Sequence, residues 1–109
     1  FATLDKALAA SPDERLYRPY VLICRGETRL RLQRHAEAES DFRAAIDEAD
    51  AMGAAAYALR AATGLARAMA ALGRVDEART LLIARLDVGA EDAETRDVQE
   101  ARSLLRALA

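Results

Sequence analysis

Apolar residues recur along this chain at the spacing of a helix. Between Ala36 and Met52, the residues Ala38, Phe42, Ala45, Ile46 and Ala49 fall on one stripe. Steps of 4, 3, 1 and 3 match a period of 3.6 residues, so the spacing predicts a helix there. Gly53 ends it as a C-terminal glycine does. The next segment, Ala54–Leu72, is Ala-rich and apolar on several sides, which predicts a central helix stopped by Gly73. A further helix is expected over Val75–Leu86. The last carries Val98, Ala101, Leu105 and Leu108 on one face, with Thr95 or Asp92 as its cap. Before these, Leu4, Ala7 and Leu8 share a face and read as the tail of a helix. Ser11-Pro12-Asp13-Glu14 is a helix-start signature. Pro19 argues for a start near Leu16, which keeps the proline in the first turn of a helix reaching Gln33. No segment alternates with period two, so no strand is expected.

The stripes repeat. Leu4, Phe42 and Leu82 are 38 and 40 residues apart, and Leu8, Ile46 and Leu86 each lie four further on. Gly26 and Ala66 are also 40 apart, and each lies 12 before the small residue of the next helix, Ala38 or Ala78. Small residues at these positions let antiparallel helices approach closely. The large residue four on fills the space beside the contact.

Leu22, Gly26, Ala38, Phe42 and Ala45, followed by Leu65, Ala66, Met69, Gly73, Ala78 and Leu82, resemble the tetratricopeptide repeat (TPR) pattern. Three residues depart from it. Arg25 and Arg29 stand where the first repeat wants apolar residues, and Arg85 stands where the second wants Ala. The period also exceeds the usual ~34 residues. The resemblance implies an all-α, TPR-like right-handed superhelix of antiparallel helix pairs with a C-terminal capping helix. It divides the chain into a truncated helix (1–10), two repeats (16–53 and 54–88) and the cap (95–109). The matching runs Gly26-Glu27, Ala36–Phe42, Leu59–Arg67, Gly73–Leu82 and Asp97–Leu105 are similar to the C-terminal TPR region of large bacterial signalling ATPases. Those proteins carry a nucleotide-cyclase or winged-helix domain elsewhere. A non-catalytic, cytoplasmic interaction module is what that likeness implies.

Composition narrows the chemistry. The chain is 52% hydrophobic and 31% charged, with only two Pro and five Gly, which fits a folded helical domain. No apolar run approaches the roughly 18–20 residues of a membrane span. FATLDKAL has an acid and no basic region, so it is not read as a signal peptide, and the chain is expected to be part of something longer. A net charge of −2 calls for neither nucleic acid nor an anionic membrane. One Cys and one His give no metal-ligand spacing, and no phosphate-binding loop occurs. No catalytic residue, cofactor or metal is therefore expected. Cys24 reads as a core thiol and His35 as a turn residue.

Charge is segregated. Residues 15–34 hold six Arg and one acid, while residues 37–50 hold six acids and one Arg. Helix-dipole complementarity and pairing between neighbouring helices account for this. A sharper reading places a recognition groove on the first helix of each pair. Its residues are Tyr20, Ile23, Glu27, Leu30 and Arg31, then Arg60, Thr63 and Arg67. Arg31, Arg60 and Arg67 would suit an acidic peptide or a neighbouring domain. The expected partner is accordingly a protein, a peptide or another domain of the same chain, with homodimerisation through the N-terminal end as a further expectation. The alternatives are a structural spacer or dimerisation scaffold, and nucleic-acid binding through the Arg-rich helix.

Overall fold

The computed structural model describes residue 5, residues 17–89 and residues 95–109. These form helices α1 (Arg18–Arg31), α2 (His35–Ala51), α3 (Ala55–Ala71), α4 (Val75–Gly89) and α5 (Arg96–Leu108). No strand occurs among the described residues. The helix expected over residues 1–10 lies outside them apart from Asp5, as do the Ser11–Glu14 signature and residues 90–94 of the polar connection.

Local sequence explains the helix ends. α1 begins at Arg18, so Pro19 sits in the first turn, where its missing N–H is not needed. The Thr95 side chain accepts a hydrogen bond from the Val98 N–H and caps α5. The first three helices end in one recurring turn. Gln33, Gly53 and Gly73 adopt φ of 62°, 70° and 83°. In each turn the following N–H reaches back five residues: Arg34 to Arg29 O, Ala54 to Ala49 O and Arg74 to Met69 O, all at 2.8 Å. These bonds satisfy carbonyls that the helix end would leave unpaired. The turns therefore recur every 20 residues, half the 40-residue period seen in the sequence.

Glycine adopts positive φ without a Cβ clash, and glutamine does not. Gln33→Gly is expected to stabilise the chain by about 1 kcal/mol, raising Tm by a few degrees. An unchanged or lower Tm in thermal denaturation would refute this. The substitution removes one surface hydrogen bond, between Gln33 Oε1 and His35 Nε2.

Ion pairs show the helix directions. Arg18, at the start of α1, meets Glu48 near the end of α2, while Arg29 near the end of α1 meets Asp41. α1 and α2 are therefore antiparallel. Tyr20 and Glu27 of α1 face Tyr57 and Arg60 of α3 in the same order, so α1 and α3 run parallel. α3 is the hub and contacts α1, α2, α4 and α5. Its Ala-rich sequence serves that position, since small side chains allow close approach from several directions.

All five residues of the α2 stripe are buried, as are Gly26, Ala66, Ala78 and Leu82. Val98 and Ala101 of α5 complete the core, with Leu105 and Leu108 packed partly against it. At its centre the Phe42 ring is clamped between two glycines on different helices. A Cβ built on Gly26 would lie 2.8 Å from the ring, and one on Gly64 would meet the same ring atoms closer still. Neither helix could come so near with any larger residue at those positions.

Candidate functional site

Charge segregation along the chain becomes pairing across α1 and α2. Asp41 is 1% exposed, although it carries a charge. Arg25 donates to its Oδ1 from Nε at 3.0 Å and Nη2 at 2.8 Å. Arg29 Nη1 reaches both carboxylate oxygens, at 3.0 and 2.9 Å. Arg25 Nη1 also donates to Asp5. Arg25 and Arg29 are the two residues that break the apolar pattern of the first repeat. They sit one turn apart on α1 and hold a buried acid instead of filling the core.

The third departure has the same explanation. Arg85 of α4 takes Asp50 of α2 with two hydrogen bonds, at 2.9 and 2.8 Å. Arg85 chiefly lowers the Asp50 pKa through these bonds, although partial burial opposes the shift. At the other end of α2, Arg74 reaches Glu39 and Glu77 together. Between these bridges lies a shallow cleft of ≈ 240 Å³, lined by Ile46, Leu65 and Leu81 with Arg43, Asp47 and Arg85. The Arg-rich helix thus has Arg18, Arg25 and Arg29 committed to carboxylates. That leaves few of its cations for phosphate contacts, which is what nucleic-acid binding needs.

The groove residues read from the sequence divide into two groups. Tyr20, Glu27 and Arg31 lie on the accessible side of α1, and Arg60 and Arg67 on that of α3. Leu30 is half-buried against the core. Ile23 and Thr63 are not groove residues. Ile23 is fully buried and Thr63 is 2% exposed. The Thr63 hydroxyl donates to the Leu59 carbonyl at 3.0 Å, so it needs no solvent or ligand partner. Half-buried Cys24 takes the place expected for Ile23, one turn after Tyr20. Adjacent helical residues point about 100° apart, so assigning the face one residue early exchanges a surface position for a core one.

What remains is an aromatic and charged patch across α1 and α3. The Tyr20 and Tyr57 rings lie 6.2 Å apart and tilted by 41°. The Arg60 guanidinium stands 5.8 Å over the Tyr20 ring, within cation–π range. Arg60 Nη2 donates to Glu27 Oε1 at 2.9 Å. This bond raises the Arg60 pKa against the opposing effect of burial, and Cys24 and Asp97 of α5 add to it. The Tyr20 phenol is also pushed up, first by the neighbouring Cys24 thiol. Arg31 makes only a 3.4 Å contact to Thr28. Arg31 and Arg67 are both exposed.

The arrangement offers stacking surfaces and two open cations. Among the described residues, no group of three or more His, Cys, Asp or Glu is placed to hold a metal ion. No described helix is long and apolar enough to cross a membrane. No family model matches the chain, and neither a curated protein nor a solved structure matches it.

Proposed function

We propose that the chain is a non-catalytic protein-interaction module with TPR-like stacking. In this reading the helix pairs form a right-handed superhelix, α5 caps it, and the α1–α3 face binds an acidic peptide or a neighbouring domain. The resemblance to bacterial signalling and transcription-regulator ATPases supplies the setting, a cytoplasmic regulatory arm of a larger protein. One observation carries the binding role. Tyr20 is 43% exposed beside Tyr57 and Arg60, although a large aromatic side chain gains by burial. Exposed aromatic residues next to arginines are the usual anchors of protein interfaces.

Peptides selected on the 109-residue chain from a displayed random library are expected to combine acidic and apolar residues. Arg31→Glu/Arg67→Glu should weaken their binding by about tenfold or more, since two attractive contacts become repulsive. Circular dichroism should show an unchanged helical content. Equal affinity for wild type and double variant would remove the groove assignment.

A further inference from the structure

The cation best placed to receive a ligand carboxylate already holds one. Arg60 donates from Nη2 to Glu27 Oε1 at 2.9 Å and from Nε to Oε2 at 3.3 Å. This two-pronged geometry is how a guanidinium recognises a carboxylate. The pair spans two helices and is not a core element. The Arg60 side chain is 36% exposed and that of Glu27 30%. An ion pair this open to water is weak, so another carboxylate can exchange for the first. Beside it, the Tyr20 and Tyr57 rings form an apolar shelf that Glu27 does not use.

From this juxtaposition we infer that Glu27 is an internal competitor at the Arg60 carboxylate site, displaced when an acidic side chain of a bound peptide takes its place. An apolar neighbour of that acid rests on Tyr20 and Tyr57. The inference rests on the groove reading above and adds its control. Only a carboxylate on one cation is exchanged, with no bond made or broken. Displaced Glu27 stays tethered beside the incoming acid and repels it. Wild-type affinity is therefore held low twice over, by competition and by like charge. Specificity follows too, because a ligand that brings an acid without an apolar neighbour gains little over Glu27 itself.

Fluorescence anisotropy at low ionic strength tests this with two labelled probes. The first is a C-terminally amidated peptide of alternating glutamate and phenylalanine. The second carries a free C-terminal carboxylate as its only acid. Glu27→Gln is expected to bind the first probe about five-fold more tightly than wild type. Arg60→Gln should bind it more weakly, and Glu27→Gln/Arg60→Gln should behave like Arg60→Gln. If wild type binds through Arg60 but Glu27→Gln gains nothing, the competitor role is overturned and the groove stands. If no variant binds, or if binding ignores both Arg60→Gln and the Arg31/Arg67 reversal, the groove reading falls as well. A gain confined to the second probe overturns the side-chain carboxylate as the ligand group. Circular dichroism on each variant separates loss of binding from loss of fold.

Discussion

Gly64→Ala lowers the unfolding free energy by about 3 kcal/mol in urea denaturation, the upper end of the usual range for overpacking. The added methyl would be placed against the Phe42 ring, which is fully buried. Gly26 stands against the same ring atoms at a similarly short distance, so little room is left for the ring to shift. Helix propensity works the other way, favouring Ala over Gly by about 1 kcal/mol. The steric term must exceed that gain for the sign to hold. Phe42→Leu tests the mechanism. Alone it should cost about 1–2 kcal/mol through looser packing and a residual void. Combined with Gly64→Ala it should cost clearly less than the sum, because the shorter side chain makes room for the methyl. Strict additivity would show that the two sites do not meet. A stabilised Gly64→Ala would show that the ring is not clamped.

This clamp shows where reading the chain succeeds and where it stops. The α2 stripe was legible because its five residues share one period and one face. Gly53 and Gly73 were legible as helix stops, since glycine has few other reasons to stand there. Gln33 carries no such signal, yet it adopts the same positive φ. Gly26 stood out through its 40-residue relation to Ala66. Gly64, the second jaw, did not, because an Ala-rich helix hides one more small residue. For Thr63 the difficulty was polarity. A polar residue on a helix reads as solvent- or ligand-facing, but α3 is contacted by four helices and the Thr63 hydroxyl donates to the Leu59 carbonyl. Arg25, Arg29 and Arg85 looked like interruptions of an apolar pattern. Each is matched to an acid on α2, and for Arg25 and Arg29 the opposed charge runs of α1 and α2 held that information in coarse form.

Asp41→Ala is expected to cost about 3–5 kcal/mol, more than any surface charge in the chain. Removing the carboxylate takes away the buried acid that both guanidinium groups share, and the acids still beside them, Asp5 at Arg25 and Glu37 3.6 Å from Arg29, are far more open to water. The two arginine side chains are only 19% and 16% exposed, so water screens them poorly. Ala is the better helix former, so the measured loss understates the electrostatic part by about half a kcal/mol. Asp41→Asn keeps the shape and one acceptor oxygen but removes the charge and turns the other oxygen into a donor, and should fall between wild type and Asp41→Ala. Replacing all three, as Arg25→Met/Arg29→Leu/Asp41→Leu, should recover most of the loss. Burying ions is costly, and an apolar set of similar volume matches a buried cluster in many folds. Chemical denaturation of the four proteins separates the possibilities. A cost below about 1 kcal/mol for Asp41→Ala would mean that solvent reaches the cluster and screens it. A triple variant as unstable as Asp41→Ala would mean that packing, not the stranded charge, is what the single substitution loses. The predicted order makes the cluster a device that fixes α1 against α2 at one register, since Asp41 meets both arginines only when they straddle it. Stability then depends on all three members being present together, or on none being present at all.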